Sequence, residues 1–240
     1  MKVKQAKTSK MLCIETPAID YQKALELQRK IVAARNSGII NEDIVLLVEH
    51  PSVFTLGRRG GLENLTVSKA FLKKRGIQVI QTERGGNITF HGPGQLVGYP
   101  IIDLKKAELR VVDYVEALEE VMIRTASEWG IIAGRNPMNR GVWVKNKKLG
   151  SIGITVRHGI TFHGFAFNVN TSPEPFGWIN PCGLEGIEIT SMENELSAKI
   201  PVHKVRKSIK YNIEAVFGVG LINTSMTELQ EMFKKDNDKM

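Results

Sequence analysis

The sequence predicts one domain of the α+β class, and three observations support this. Apolar residues recur at helical spacing in two long stretches, whereas several shorter apolar runs are bounded by glycine or proline, as strands are. The 240 residues contain no internal repeat and no interdomain linker, and they are enough to bury one substantial core. We therefore expect a single domain over residues 1–240, with the polar ends 1–10 and 225–240 as its candidate flexible segments.

The first half alternates strands with helices. Asp20 is placed to cap a helix that runs to about Asn36 and ends before Gly38, and a second, shorter helix is expected over 66–75. Short apolar runs predict strands at 11–14, 44–49, 53–56 and 77–81. The basic loop 57–61 either holds an anion or only links two elements.

The second half contains the longest predicted helix and the clearest sheet pattern. After a strand at 96–103, a helix is expected over 111–129, ended by Gly130. From Gly141 onward, three strands joined by turns at 145–147 and 158–159 predict an antiparallel meander. A long irregular segment covers 170–189; Thr190 with Glu193 then forms a possible capping box, and a last helix is expected over 202–217.

Composition indicates a protein that is neither secreted nor embedded in a membrane. No apolar run approaches bilayer length, and the basic start of the chain lacks the apolar core of a secretory signal, so we expect a cytoplasmic protein. Cys13 and Cys182 are then expected to be free thiols. The net charge of +8 favours acidic partners, although most of the short basic clusters are better explained as solvated faces.

The stretch from Arg84 to Tyr99 is too rich in glycine for an ordinary strand, yet it carries enough apolar residues to be ordered. Such a pattern favours a backbone that passes close to a ligand. The alternative is two tight turns around one short strand.

Two other residues are candidates for chemistry. Cys182 lies between proline and glycine in the irregular segment, whereas Cys13 lies in an apolar run typical of a buried residue. A thiol needs a partner that holds or removes its proton, because only the thiolate attacks well. Lys148, at the start of a predicted strand, is one candidate, with a solvated turn lysine as its alternative explanation. The five histidines are the others: His50, His91, His158, His163 and His203.

Motifs for metal and nucleotide binding were not found. The cysteines are isolated, and no histidine or cysteine pair has the spacing of a structural zinc site. The sequence also lacks a Walker-type phosphate loop and a Gly-x-Gly-x-x-Gly after a strand.

Three segments together resemble the lipoyl(octanoyl) transferases in residue type, order and spacing. They are Arg84-Gly-Gly-x-x-Thr-Phe-His-Gly-Pro-Gly-Gln-Leu, then Lys148-Leu-Gly-Ser-Ile-Gly with His163-Gly-Phe-Ala-Phe-Asn-Val, and finally Pro181-Cys-Gly-Leu with Thr190-Ser. The similarity covers about residues 12–220. It implies the fold of the biotin and lipoate protein ligases, a mixed β-sheet with packed helices.

The resemblance also implies an activity: transfer of an octanoyl group from octanoyl-acyl carrier protein to a lysine of a lipoyl domain. The implied acceptors are the lipoyl domains of 2-oxoacid dehydrogenases and the glycine-cleavage H protein. The acyl group arrives as a thioester on phosphopantetheine, so no cofactor, neither ATP nor a metal, is expected. Nucleic acid and membranes are not expected as partners.

The site residues are implied by the matching positions. Cys182 is the expected nucleophile and Lys148 its acid/base partner. The expected acyl-binding walls are Arg84, Gly85, Gly86, Asn87, Ile88, Thr89, Phe90, His91, Ser151, Ile152, Gly153, Gly164, Phe165 and Ala166. Glycines among these positions leave room for a linear apolar chain against the backbone.

Three alternatives differ in their requirements. A lipoate or biotin ligase of the same fold needs ATP and no nucleophilic cysteine. A transferase between lipoyl-domain proteins uses such a protein as donor as well as acceptor. A binding module that places its basic face on nucleic acid predicts salt-dependent affinity and indifference to replacement of Cys182.

Overall fold

The computed structural model describes residues 9–137, 139–180 and 187–234. Their helices are α1 (Tyr21–Asn36), α2 (Lys69–Lys74), α3 (Val111–Glu128), α4 (Met192–Leu196), α5 (Val202–Phe217) and α6 (Met226–Lys234). Their strands are β1 (Ser9–Ala18), β2 (Asp43–Glu49), β3 (Val53–Leu56), β4 (Gln78–Gln81), β5 (Ile88–His91), β6 (Gln95–Ile101), β7 (Gly134–Arg135), β8 (Val142–Val144), β9 (Lys147–Arg157), β10 (Ile160–Asn168), β11 (Glu188–Ile189) and β12 (Val219–Asn223).

The strands form two sheets. The larger has the order β12-β1-β2-β6-β10-β9-β8-β7, with β11 beside β9, and the smaller has the order β4-β3-β5. Both are mixed, since β1 runs parallel to β2 and β12 while β2 runs antiparallel to β6, and β3 runs parallel to β4 but antiparallel to β5. The predicted meander is confirmed as the antiparallel strands β8, β9 and β10.

Helices cover both faces of the larger sheet. On one face, α3 and α5 pack over a core that includes Phe165 and Phe167. On the other face, α1 packs over a second core that includes Val97 and Ala166, and Leu229 of α6 joins it. The smaller sheet has its own cluster of apolar residues around Phe54 and Phe90. Burial of these faces is the main stabilising contribution to the fold.

Local signals explain most helix starts, with one correction. Asp20 caps α1 by accepting the Lys23 N–H at 3.1 Å, as predicted. The predicted capping box of Thr190 and Glu193 is wrong: Ser191 caps α4 through the Asn194 N–H. Thr190 instead donates its hydroxyl to Glu195 at 2.6 Å.

Two other elements differ from the predictions in extent. The helix predicted over 66–75 is confined to α2, because Ser68 provides the cap for the Phe71 N–H. Within the candidate flexible segment 225–240, residues Met226–Lys234 form α6, which buries Leu229. Within the described ranges, no helix has the length and apolar character that crossing a bilayer requires.

Candidate active site

A cavity lies between the two sheets. It encloses about 700 Å³, its opening included. Its wall consists of residues from β5, β6, β9, β10 and the segments around them: Tyr21, Arg84, Gly86, Asn87, Ile88, Thr89, His91, Val97, Tyr99, Lys148, Ser151, Ile152, Gly153, His163, Gly164, Phe165, Ala166, Phe176, Ile187 and Ile189.

Most residues predicted to bind the acyl chain are on this wall. Twelve of the 14 line it, together with Lys148; the two that do not are Gly85 and Phe90. Phe90 packs between Phe54 and Phe176 at centroid distances of 5.2 and 5.5 Å. The structure therefore brings together segments that are up to about 80 positions apart in the chain.

Small residues make up the floor of the cavity. Ser151 pairs with Ala166 and Gly153 with Gly164 across β9 and β10, so these four positions share one sheet face. A side chain at Gly164 is sterically excluded, because its Cβ would lie 2.1 Å from the Gly98 carbonyl oxygen of β6. The floor is consequently a shallow groove along the strands.

The segment 84–87 closes one end of this groove. The Gly85 N–H donates to the Ile154 carbonyl at 2.9 Å, which ties the segment to β9. Arg84 is 7% exposed, and its guanidinium donates to the Thr55 hydroxyl of β3 and to the Gly85 carbonyl. The Arg58 N–H donates to the Arg84 carbonyl at 2.9 Å, so the loop after β3 supports the segment from outside.

Three buried histidines surround the same end of the groove and are neutral. Burial lowers the pKa of His50 to about 4 and that of His163 to about 3, and it holds the pKa of His91 well below its ordinary value. His50 Nδ1 donates to the Ile19 carbonyl at 2.7 Å, so its Nε2 accepts the hydroxyl of Tyr99 at 2.6 Å.

His91 and His163 differ in their hydrogen bonding. His91 Nδ1 lies 2.7 Å from Gln95 Oε1, and the Gln95 amide nitrogen already donates to Asn168, so His91 is the donor. The His163 ring nitrogens have no partner among the described residues. Five histidines were considered as thiol partners, and His91 and His163 line the cavity. His50 is buried but is not part of the wall, and His158 and His203 are exposed.

Lys148 is buried at the cavity, so its alternative explanation as a solvated turn residue is wrong. It is 7% exposed, whereas Lys145 and Lys147 on either side of the turn are exposed. Its ammonium donates to Asn139 Oδ1 at 2.7 Å and lies 5.3 Å from the centre of the Trp143 ring. A lysine buried among polar partners can hold or transfer a proton away from bulk solvent.

Cys182 lies outside the described residues, but the chain on both sides of it is placed. The Asn180 N–H donates to the Asn64 carbonyl at 2.8 Å, and Ile187, five residues after Cys182, lines the cavity. Ile189 then pairs with Lys148, and the Thr190 N–H donates to the Lys148 carbonyl at 3.0 Å. The described chain therefore resumes beside Lys148, a few residues after Cys182.

Seven lining residues were not predicted, and only some had a signal in the sequence. Val97 and Tyr99 lie two positions apart in the strand predicted at 96–103, so they share a face, and His163 directly precedes a predicted wall residue. Tyr21, Phe176, Ile187 and Ile189 come from other elements that reach the site only through tertiary packing. Among the described residues, no group of three or more histidine, cysteine or acidic side chains is arranged to hold a metal.

Comparison with known proteins identifies the family. A model of the lipoyl protein ligase A/B catalytic domain matches residues 20–214. An octanoyltransferase of Desulfotalea psychrophila is 48% identical over 85% of this chain and 93% of its own length. The chain belongs to the octanoyltransferases. A second octanoyltransferase, from Syntrophobacter fumaroxidans, is 43% identical over 83% of the chain and 87% of its own length.

Solved structures agree with the fold of this octanoyltransferase family. A lipoate-protein ligase A bound with ATP superimposes with a TM-score of 0.76, and a putative lipoate protein ligase from T. acidophilum with bound lipoic acid gives 0.74. Both are 16% identical and cover 97% of this chain and 95% of theirs. The mixed sheet with packed helices is therefore that of the lipoate ligases, and the family makes the chain an acyltransferase.

Proposed function

We propose that this chain transfers an octanoyl group from octanoyl-acyl carrier protein to a lysine of a lipoyl domain, through a thioester on Cys182. The observation that carries the proposal is the single cavity that brings together a groove of small residues, buried Lys148 and the residues that follow the Cys182 segment. Relatives named octanoyltransferase support the acyl group. The groove suits a linear apolar chain because Ser151, Gly153, Gly164 and Ala166 add little bulk to its floor.

The first half-reaction forms the acyl-enzyme. The Cys182 thiolate, favoured by the neighbouring Lys148 ammonium, attacks the carbonyl of the donor thioester and forms a new carbon–sulfur bond. The tetrahedral oxyanion collapses and the carbon–sulfur bond to phosphopantetheine breaks. Lys148 gives its proton to the departing thiolate and becomes a neutral amine.

The second half-reaction uses that neutral amine. The acceptor lysine attacks the acyl-enzyme carbonyl as a free amine, and Lys148 removes the proton that the new amide nitrogen must lose. The Cys182 thiolate leaves, so thiolate and ammonium are both restored. One residue thus serves both halves of a ping-pong reaction, and no nucleotide is consumed.

The direct test is an intact mass of the purified protein after incubation with octanoyl-acyl carrier protein and no ATP. We expect a hydroxylamine-labile octanoyl adduct that disappears when a lipoyl domain is added. Octanoylation that appears only with free octanoate and ATP would assign the chain to the ligases instead. A third assay uses an octanoylated lipoyl-domain protein as the donor. Transfer from this donor would instead indicate a transferase that acts between lipoyl-domain proteins.

The floor of the groove predicts a change in chain-length preference. Ala166 faces the cavity between Val97 and Ser151 on the neighbouring strands. The larger side chain of Ala166→Leu should therefore fill part of the groove. Octanoyl transfer should fall about 100-fold relative to butanoyl transfer, because four methylene groups lose about 0.8 kcal/mol of burial each. Competition between octanoyl- and butanoyl-pantetheine measures this ratio. An unfolded variant loses both activities equally, and an unchanged ratio in a folded variant contradicts the assignment of the floor.

A basic surface beside the cavity suits the acidic carrier protein. Six exposed cations lie on the loop after β3 and on or next to α2, and in the described ranges none of them has an ion-pair partner: Arg58, Arg59, Lys69, Lys73, Lys74 and Arg75. On α5, Arg206 and Lys210 are paired with Glu15, whereas Lys204 and Lys207 are exposed. The Arg58 N–H donates to the Arg84 carbonyl, which places the loop end of this surface beside the segment that closes the cavity, and α2 extends the surface away from it.

Charge reversal on this surface should weaken donor binding. We expect Arg59→Glu with Lys73→Glu to raise the KM for octanoyl-acyl carrier protein about tenfold at low salt, and the difference to shrink at high salt. The KM for octanoyl-pantetheine, a donor that lacks the carrier protein, should be unchanged. The control is Lys105→Glu with Lys106→Glu, two exposed lysines near the distant turn at Gly159. Equal effects of both pairs would show that only net charge matters.

A further inference from the structure

Asn139 contacts the Lys148 ammonium through its side chain. It lies in the segment between β7 and β8, and its Oδ1 accepts from Lys148 Nζ at 2.7 Å. Its backbone carbonyl accepts the Trp143 indole N–H at 3.1 Å, and the Trp143 ring itself lies 5.3 Å from Lys148 Nζ. Asn139 is therefore held by Trp143 while it contacts Lys148.

A buried carboxylate anchors the same segment. Glu119 of α3 has a side chain only 1% exposed, and it accepts the Gly141 N–H at 3.0 Å. Gly141 has a φ of +126°, and a Cβ there would lie 2.9 Å from Lys148 Cε. The segment thus packs directly on the Lys148 side chain. Because its backbone is anchored by Glu119, Asn139 has little freedom to move.

We propose that Asn139 is a positioning residue that holds Lys148 and favours its protonated form. An amide oxygen accepts hydrogen bonds and never donates them, so Lys148 must donate to it as an ammonium and as a neutral amine. In the neutral amine, the lone pair then points away from Asn139 and is available to a substrate. A hydrogen bond from a charged donor is stronger than one from a neutral donor, so the contact also favours the ammonium. The inference deepens the proposed function and rests on it.

Among the described residues, the charged groups on the elements that pack beside Lys148 are paired with one another. Arg135 and Arg140 lie 3.3 and 3.4 Å from Glu119, and the neighbouring Lys147 pairs with Glu188 of β11 at 3.2 Å. Arg84 and the neutral His91 and His163 also line the cavity, and the Cys182 thiolate belongs to the proposed function. A change at Asn139 leaves these pairs in place, so its effect on protonation should act through Lys148.

The test compares Asn139→Asp and Asn139→Leu in the full-length enzyme. The rate of adduct formation from octanoyl-pantetheine is measured against pH by intact mass, and transfer to the lipoyl domain is measured from preloaded enzyme. Aspartate stabilises the ammonium form of Lys148. The alkaline limb of the pH–rate profile for adduct formation should therefore move to higher pH by about one unit or more. Transfer to the acceptor at pH 7 should then slow about tenfold. Leu should move the alkaline limb down, with a lower kcat and little change in KM.

Opposite shifts in two variants cannot come from a loss of structure alone. Arg140→Gln, a change at the next residue that spares Asn139, should keep the wild-type limb. The inference would be overturned if the alkaline limb of the pH–rate profile did not shift, or if it shifted in the same direction in both variants. Because Asp is isosteric with Asn, that variant still decides the outcome if the Leu variant does not fold. Failure of the proposed function is distinct: it appears as no adduct on Cys182 in the wild-type enzyme.

Discussion

Replacement of Cys182 by serine should abolish the acyl-enzyme and reduce octanoyl transfer about 10³-fold or more. A serine hydroxyl is almost fully protonated at neutral pH, and the proposed lysine partner is suited to a thiolate rather than to an alkoxide. Intact mass after incubation with octanoyl-acyl carrier protein checks the adduct, and a lipoyl-domain assay checks turnover. A thioester adduct on the variant, which neutral hydroxylamine cleaves and which cannot involve the introduced serine, would contradict the assignment of the nucleophile.

Cys13 is the matched control for this experiment. It is 1% exposed in β1, and burial raises the pKa of its thiol to about 11, so it stays protonated and unreactive near neutral pH. Cys13→Ala removes a thiol without adding a polar group to the core. We expect it to keep the adduct and near-normal turnover. An adduct that is lost in Cys13→Ala but kept in Cys182→Ser would reverse the roles of the two cysteines.

The fold could be predicted well from the sequence where local chemistry decides it. Asp20 predicted the start of α1 because an acidic side chain can accept the free N–H groups of a first turn. The meander followed from turn residues between apolar runs. The start of α4 was missed by one residue because Thr190 and Ser191 are both competent caps, and only packing selects Ser191.

The site was predictable only in part, and for a physical reason. Wall residues at positions 84–91, 151–153 and 164–166 belong to segments with an unusual glycine pattern, which a resemblance can detect. Tyr21 and Phe176 reach the same cavity from a helix and a short turn, so their position depends on the packing of separate elements. The burial of Lys148 could not be predicted from the sequence either. It depends on contacts with Asn139, in the segment before β8, and with Trp143 of β8.

Lys148→Arg should separate the two half-reactions. Arginine keeps a positive charge beside the thiolate, but it does not give up its proton at any ordinary pH. The acyl-enzyme should therefore still form slowly, whereas transfer to the acceptor lysine should fall by at least about 100-fold, since no base remains to take the proton of the attacking amine. Intact mass should show the adduct accumulating in the variant in the presence of a lipoyl domain, a condition in which the wild-type adduct disappears.

Lys147→Arg is the control for the size and charge of the substitution. Lys147 precedes Lys148 in β9, its side chain is 53% exposed, and it pairs with Glu188 at 3.2 Å. The same exchange there leaves the cavity wall unchanged, so turnover should stay within about twofold, as for most exposed substitutions. Near-normal turnover in Lys148→Arg would remove Lys148 from proton transfer and leave it only the role of a fixed charge. Because the Asn139 inference needs a lysine that cycles between two protonation states, it would fall with that result.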